Sequence, residues 1–551
     1  MDLEQAKRPK AKFSRTKSGC RTCRIRRVKC DEMHPVCSQC TNTGRTCDGY
    51  GIWDRGVAKP GPPPLSNSWQ IITSSWARGD KLESSCMDWY ITRANKKIPG
   101  IFKSHIWNTL IIQASANDPT VWHSVVALAS AHKREMLLCN SVPSSALSDE
   151  SERFTLRQYN TAISHVRRHL ALGDDESTKV AAMTCLIFIC LEFLRGNYKT
   201  GNTHLQHGLS LLVKLRPLPD AEVETLVLKS HPDSIGDHLT EAFARLYVQS
   251  AFFGHSSHHF VIAVQDYPFG CPEWCIFSGP GAARLHLDVL LNRVHRLGER
   301  CREEQGASHD ARDLELLNEQ QRVRAHLRSW YESFKTSRAI WAAENKNSDQ
   351  TFLAGKLLLI YHTMAVIMAD SLLSASESAY DVYTPTFNAI VLQSIHLWNA
   401  AAPTIVADTL SGYCTTKFSF SADMGLILPL YYTSLKCRSP VIRRCALKLL
   451  LDASHQEGIW NGRLAAGIGQ RVMQIEERGM HEQSIFERRL LDRTPGQWDE
   501  PLPIVPEACR IRHVCVELFD SPASALTLTY ERMLDDRTWI AVQDECRIPG
   551  E

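Results

Sequence analysis

The sequence predicts a small N-terminal module without an apolar core, followed by a large, mainly all-α body. First, six of the 19 cysteines lie between positions 20 and 47 at a repeating spacing. Second, residues 1–50 carry 12 Lys or Arg against 5 Asp or Glu, a net charge of +7, whereas the whole chain has a net charge of +3. Third, apolar residues recur at helical spacing from about residue 69 onward. With 551 residues, 44% of them hydrophobic, the body can bury a large core.

The six N-terminal cysteines form the pattern C-x2-C-x6-C-x6-C-x2-C-x6-C and are Cys20, Cys23, Cys30, Cys37, Cys40 and Cys47. Zinc prefers four tetrahedral ligands and binds thiolate readily. Six thiolates fill two such sites only if two of them are shared, so the pattern predicts one cluster of two zinc ions. Because this segment has almost no large apolar side chains, the metal must supply its folding free energy. Cys20–Cys30 and Cys37–Cys47 are predicted as two short helical segments, and Pro35 sets the turn between them.

Other uses of these cysteines fit the sequence less well. Three disulfides would need an oxidising compartment, but no apolar run follows the basic N-terminus as in a secretory signal. An iron–sulfur or redox centre would not explain the two-fold repeat or the charges between the ligands. The longest apolar stretch, Val180 to Leu191, is shorter than the ~20 residues of a membrane helix. We therefore expect a reducing, intracellular environment and no membrane.

Basic residues lie between and before the cysteines. Arg24, Arg26, Arg27 and Lys29 fall between the second and third cysteines, where no acidic residue balances them. A solvated charged face is the simpler alternative, but arginine can bind guanine in the major groove and lysine can bind phosphate. This pattern predicts binding to double-stranded DNA. The preceding arm is either merely solvated or serves nuclear import and phosphate contact, through Lys7, Arg8, Lys10, Lys12, Arg15 and Lys17.

The cysteine register, with C-R-x-R-R-x-K-C from Cys23 to Cys30, resembles the fungal binuclear zinc-cluster (Zn(2)-C6) transcription factors. The resemblance implies that Cys20 and Cys37 bridge the two zinc ions and that the first helical segment enters the major groove at a CGG-type triplet. By position, Arg26 and Arg27 match the base-contacting pair of that family, which leaves Arg24 and Lys29 for phosphate or packing. It further implies a sequence-specific, zinc-dependent regulator of RNA polymerase II genes that acts in the nucleus.

Several stretches of the body resemble the helical regulatory region of the same family, namely 119–129, 159–163, 191–209, 437–440 and 457–460. The resulting fold class is a small zinc-stabilised N-terminal module plus a large, mainly all-α regulatory domain. The predicted organisation is a disordered basic arm at 1–19, the zinc-cluster DNA-binding domain at 20–48, a Pro/Gly-rich linker at 49–68 and the α-helical regulatory domain at 69–551.

Within the body, local signals predict individual helices. Asp118 and Pro119 predict an N-cap and first helical residue. Ser177 or Thr178 is expected to cap the next buried helix, residues 180–194, which is apolar nearly all round. A short hairpin is expected at 508–530. Further helices are expected at 237–253, 284–300, 312–345, 351–374, 386–402, 423–435, 439–454 and 458–478.

The lack of recognisable catalytic motifs predicts that the chain is not an enzyme. It has no G-x-S-x-G, P-loop or G-x-G-x-x-G motif. Cys271 and Cys275 are expected to be ordinary thiols, and residues 476–478 are expected to form a solvated helix end. A surface loop is expected to carry His255, His258 and His259.

Two classes therefore remain, a DNA-binding regulator and an enzyme with a zinc tether, and the sequence favours the regulator. The absence of heptads leaves monomer and homodimer open. Coregulators and a small-molecule effector of the body also stay open.

Overall fold

Helices make up most of the part of the chain that the computed structural model describes. In the N-terminal module this part is residues 19–47 without 21, 24, 25, 27, 34, 35 and 46. In the body it is 79–138, 145–215, 224–254, 260–265, 275–303, 310–343, 349–410, 419–452, 455–478, 505–517, 519–520, 526–534 and 538–546. The predicted basic arm at 1–19, apart from residue 19, and the predicted linker at 49–68 lie outside these residues.

In the described residues, one short α-helix lies in the N-terminal module and the others build the body. The α-helices are α1 Ser38–Thr41, α2 Lys81–Trp89, α3 Asn95–Lys97, α4 Ile111–Asn117, α5 Pro119–Leu138, α6 Ser145–Leu172, α7 Asp175–Leu194, α8 Tyr198–Leu215, α9 Ile235–Phe252, α10 Pro280–Glu303, α11 Asp310–Ala343, α12 Asp349–Ser371, α13 Thr384–Leu410, α14 Ile427–Lys436, α15 Pro440–Asp452 and α16 Gly462–Glu476. The part of the chain that the structure describes also contains two π-helical turns, Tyr90–Ala94 and Ile106–Leu110, and two 3-10 turns, Glu377–Tyr383 and Glu507–Cys509.

Three small sheets accompany the helices in the described residues. Their strands are β1 Thr225–Leu228, β2 Val261–Val264, β3 Ser419–Ser421, β4 His455–Glu457, β5 Trp460–Asn461, β6 Ile511–Val516, β7 Leu526–Met533 and β8 Trp539–Cys546. β1 and β2 pair in parallel, β3 and β4 pair in parallel with β5 antiparallel to β4, and β6, β7 and β8 form an antiparallel meander. The predicted hairpin is thus the first part of a three-stranded sheet, whose last strand lacks a strong alternating pattern.

The start of α5 is as predicted, and the start of α7 is not. Asp118 accepts a 2.7 Å hydrogen bond from the Thr120 backbone N–H, and Pro119 opens the helix where a missing N–H costs nothing. For α7 the cap is Asp174, which accepts a 2.8 Å bond from the backbone N–H of Ser177. Ser177 therefore donates to the cap instead of being the cap, because a carboxylate at a helix start also interacts favourably with the helix dipole.

The buried helix predicted at 180–194 is confirmed and forms the centre of the first half of the body. α7 packs against α5, α6, α8 and α9, and most of its residues from Ala181 to Leu194 are buried. Its length and composition, and those of α12, would also allow a membrane-spanning helix. Because 78% of the apolar window of α7 and 56% of that of α12 is buried inside the protein, both are explained as core helices.

The second half of the body encloses charged residues, which the sequence pattern did not predict. Glu476, expected on a solvated helix end, is fully buried at the end of α16. It pairs with Arg443 and, at 2.8 Å, with Arg438, and it accepts a 3.0 Å bond from the Ile511 backbone N–H. Glu477 pairs with Arg444 at 2.5 Å. The prediction of a solvated helix end is therefore wrong, because Arg438, Arg443 and Arg444, which lie 33 to 38 residues earlier in the chain, cover these carboxylates.

Candidate metal centre and nucleic-acid interface

The structure brings the six predicted cysteines together in one buried cluster. None of them is more than 4% exposed. Their sulfurs form two groups of four in which all sulfurs lie within 4.8 Å of one another: Cys20, Cys23, Cys30 and Cys37 in one group, and Cys20, Cys37, Cys40 and Cys47 in the other. Cys20 and Cys37 belong to both groups, and their sulfurs are 3.5 Å apart.

The local backbone conformation positions the two cysteines of each C-x2-C pair. In the second half, Cys37 precedes α1, and the Cys40 backbone N–H donates to the Cys37 carbonyl at 3.0 Å. In the first half, the Cys23 backbone N–H donates to the Cys20 sulfur at 3.3 Å. Such N–H to sulfur bonds favour the thiolate form that a metal requires. Both pairs thus present two sulfurs from one short turn.

Asp31 joins the two halves of the cluster. Its carboxylate accepts a 2.9 Å bond from the backbone N–H of Ser38, the first residue of α1. Hydrogen bonds donated by Ser38 hold the pKa of Asp31 below its usual value. This contact was not predicted, although a carboxylate N-terminal to a helix start is a recognisable signal for it.

The donor set suits zinc. Two sulfurs of one tetrahedral zinc site are separated by about 3.7 Å, given a Zn–S bond of about 2.3 Å. Within the two groups, the sulfur of Cys37 is 3.5 Å from those of Cys20 and Cys23, and the sulfurs of Cys20 and Cys40 are 3.7 Å apart. Besides the cysteines, Val36 is the hydrophobic residue packed against this cluster in the described part of the module. The module therefore fits two zinc ions in place of a hydrophobic core.

The pKa values of the cysteine thiols are shifted in different directions. Burial raises the pKa of Cys20, Cys23 and Cys40. Burial acts in the same direction on Cys37, but hydrogen bonds from Cys40, Cys20 and Cys23 outweigh it and lower the pKa of Cys37 to about 7. Zinc binding must therefore displace protons from most of these sulfurs, so metal affinity falls as the pH falls.

Two of the four basic residues predicted to contact DNA lie in the described part of the module. Lys29 is exposed beside the cluster. Arg26 is half-buried, and its guanidinium donates to the Thr43 hydroxyl at 3.1 Å and to the Gln39 carbonyl at 3.4 Å. Arg24 and Arg27 lie outside the described residues, as do Lys7, Arg8, Lys10, Lys12, Arg15 and Lys17. Arg26 thus connects the two halves of the module, which its sequence context did not reveal.

Of the body residues that the sequence offered as possible thiol or metal sites, Cys275 lies in the described part of the chain. The Cys275 backbone N–H donates to the Ser333 hydroxyl at 3.2 Å. Cys271, His255, His258 and His259 lie outside the described residues. Both groups of metal-ligating side chains found in the described chain consist of the N-terminal cysteines alone.

Comparison with known proteins matches both parts of the chain. Residues 18–54 match the Fungal Zn(2)-Cys(6) binuclear cluster domain, and residues 90–260 match the Fungal specific transcription factor domain. The first match covers all six cysteines. The second covers the helices from α3 to α9 and the first strand, β1, and it ends where β2 begins.

Several curated proteins resemble the chain. The Aspercryptin biosynthesis cluster-specific transcription regulator atnN of Emericella nidulans is 28% identical over 243 residues, which are 41% of this chain and 39% of that protein. Transcription regulator lscL of Purpureocillium lilacinum is 29% identical over 227 residues, 38% of this chain and 52% of that protein.

Transcriptional regulatory protein moc3 of Schizosaccharomyces pombe is 48% identical over 61 residues, 10% of this chain and 12% of that protein. The similarity thus spans about half or less of the length of these relatives. No solved structure matches the chain.

Proposed function

We propose that this chain, which joins a Zn(2)-Cys(6) binuclear cluster domain to a fungal specific transcription factor domain, is a DNA-binding transcription regulator that acts in the nucleus. The cluster domain holds two zinc ions. The observation that carries the proposal is the pair of four-cysteine groups that share Cys20 and Cys37. The relatives bear the names of transcription regulators, which supports the same role and gives no reason to expect catalysis.

Within the cluster, Cys20 and Cys37 would be shared by the two zinc ions. Cys23 and Cys30 would complete the ligand set of one ion, and Cys40 and Cys47 would complete that of the other. This assignment is supported by the division of the sulfurs into two groups and by the 3.5 Å distance between the two shared sulfurs. It also satisfies the count of eight coordination positions with six thiolates.

The module reads a CGG-type triplet through Arg26 and Arg27 in the major groove of double-stranded DNA. Arg26 has to exchange its 3.1 Å bond to Thr43 for a base edge, so Arg27 carries the larger share of the discrimination. Lys29, which is exposed, contacts phosphate, together with Arg24. The arm, with Lys7, Arg8, Lys10, Lys12, Arg15 and Lys17, adds phosphate contact and nuclear import.

The rest of the chain supplies regulation of genes transcribed by RNA polymerase II. The boundaries that we propose are 1–19 for the arm, 20–48 for the cluster domain, 49–68 for the linker and 69–551 for the helical regulatory domain. The helical domain is the part that would contact coregulators or a second copy of the chain. If the chain binds as a homodimer, the preferred DNA should contain two triplets at a fixed separation. If it binds as a monomer, the preferred DNA should contain one.

The test is selection of bound sequences from random double-stranded DNA by the full zinc-loaded chain. The expected result is enrichment of a CGG-type triplet. Cys37→Ala removes a sulfur shared by both groups and should abolish selection, whereas Cys445→Ala, a half-buried cysteine on α15, should leave it intact. Enrichment that survives Cys37→Ala, or no enrichment by the zinc-loaded chain, would refute the proposal.

A further inference from the structure

A surface pocket of about 280 Å³ opens between α11 and α12, beyond the matched regulatory residues 90–260. Its volume is close to the lower end of the range of small-molecule sites. Its walls combine aromatic rings, small side chains and two cations. Among the lining residues are Tyr331, Phe334, Lys335, Arg338, Ala339 and Phe352.

An aromatic column backs this pocket. Tyr331 stacks on His362 at 5.4 Å between ring centroids, and His362 stacks on Trp330 at 5.2 Å. Trp330 stacks on Phe334 at 4.8 Å, and Phe334 meets Trp341 edge to face at 5.9 Å. Tyr331 is 40% exposed, whereas Trp330, Phe334 and Trp341 are buried. The column therefore lies behind the pocket, and the aromatic surface that a planar apolar ligand can reach is that of Tyr331 and of Phe352, which is 47% exposed.

The polar atoms of these rings are fixed by the protein itself. The Trp341 indole N–H donates to the Phe277 carbonyl at 2.9 Å, and the His362 imidazole N–H donates to the Leu327 carbonyl at 3.0 Å. Burial lowers the pKa of His362 to about 4, so this ring is neutral at physiological pH. The column is therefore rigid and uncharged, which leaves polar recognition to other residues of the pocket.

The charge of the lining is entirely positive. Lys335 and Arg338 lie one turn apart on α11, and no acidic residue lines the pocket. Lys335 pairs with the exposed Glu332 at 2.9 Å, but Arg338 has no carboxylate partner among the residues that the structure describes. The Arg338 side chain lies over the Phe334 ring, with its guanidinium carbon 5.9 Å from the ring centroid.

From these observations we propose that the pocket binds a small organic anion, with its aromatic body on Tyr331 and Phe352 and its carboxylate or sulfonate on Arg338. A guanidinium is suited to such groups because its planar fork can donate two parallel hydrogen bonds. This gives the helical domain a ligand class of its own, recognised at a site separate in sequence from both the zinc cluster and the matched regulatory region.

The experiment uses the full zinc-loaded chain and two fluorescent probes of nearly the same shape. One is 8-anilinonaphthalene-1-sulfonate, which is anionic, and the other is N-phenyl-1-naphthylamine, which lacks the sulfonate. The expected result is one saturable site for the anionic probe and binding of the neutral probe that is weaker by roughly tenfold, since a charge-assisted hydrogen bond is lost. Equal affinity for the two probes would overturn the assignment of an anion.

Substitutions in and near the pocket test whether the probes bind there. Arg338→Gln should weaken binding of the anionic probe roughly tenfold and leave the neutral probe unchanged. Ala339→Trp should fill the pocket and abolish binding of both probes. The matched control is Arg328→Gln, an exposed arginine on the same helix that does not line the pocket. Binding that persists in Ala339→Trp, or an equal loss in Arg328→Gln, would overturn the proposal. DNA binding should be unchanged in all three variants, so this proposal and the proposed function fail independently.

Discussion

The N-terminal module and the helical body are stabilised by different physics. In the described part of the module, the six cysteines and Val36 are the whole hydrophobic cluster, and its size cannot sustain a folded state without metal. The body instead buries large rings such as Trp330 and Trp460, together with buried ion pairs around Glu476. The module therefore depends on coordination chemistry, and the body depends on packing and on charges that must stay paired.

Removal of zinc should produce the largest difference in folding stability between the N-terminal module and the helical body. A chelator should unfold residues 20–48 and leave the helical body folded, because structural zinc supplies about 10–16 kcal/mol in small zinc peptides. Far-ultraviolet circular dichroism and limited proteolysis before and after chelation measure this. The body should keep its helical signal and its melting transition while cleavage moves into the first fifty residues. Cooperative loss of helix throughout the chain after chelation would contradict the view that the module and the body are stabilised independently.

A substitution at the buried charges should destabilise the body and leave the zinc module intact. Glu476→Gln leaves Arg438 and Arg443 without their shared carboxylate, and breaking a buried pair in this way costs about 3–5 kcal/mol. Denaturant unfolding of the body measures the loss. Glu315→Gln, which removes an exposed partner of Arg300, is the control and should cost at most about 1 kcal/mol. Zinc content should be unchanged in both variants, and similar losses in the two would show that burial at Glu476 is unimportant.

The same carboxylate gives the body a pH dependence. Burial opposes ionisation, but the guanidiniums of Arg443 and Arg438 prevail and lower the pKa of Glu476 from 4.5 to about 2. A depressed pKa in the folded state contributes stability that is present above the ordinary value and is lost as the carboxylate gains its proton. Stability of the wild-type body should therefore fall as the pH drops from about 4.5 to about 2. The Glu476→Gln variant should show a shallower fall over this window, and an identical slope would rule out the assignment.

Packing in the body can be tested with two glycines. A Cβ at Gly208 on α8 would lie 2.1 Å from the Phe243 ring on α9, so Gly208→Ala should cost about 1–3 kcal/mol. A Cβ at Gly281, near the start of α10, meets no atom within 4 Å. Gly281→Ala should therefore be neutral or should stabilise the body by up to about 1 kcal/mol. Thermal unfolding of the two variants measures the difference, and a stable Gly208→Ala protein would show that α8 and α9 can move apart.

The two regions also differ in how much their sequence reveals. The cysteine register predicts which sulfurs converge because the ligands are close in sequence and the chemistry allows few arrangements. In the body, local patterns predict the start of α5 at Asp118 and the burial of α7, since both depend on neighbouring residues. The burial of Glu476 escaped prediction because its partners Arg438 and Arg443 are 38 and 33 residues away.

The smallest expected effects concern DNA affinity. Substitutions in the module should distinguish a residue that reads bases from one that contacts phosphate. Arg27→Ala should weaken binding to the preferred site by about 1–3 kcal/mol and binding to random DNA much less, because a base contact discriminates between sequences. Lys29→Ala should weaken both by a similar amount and reduce the dependence of affinity on salt by about one phosphate contact. Affinity measured on both DNAs over a series of salt concentrations distinguishes these outcomes. Equal loss on both DNAs for Arg27→Ala would assign it to phosphate, and base discrimination would then rest on Arg26 once it leaves Thr43.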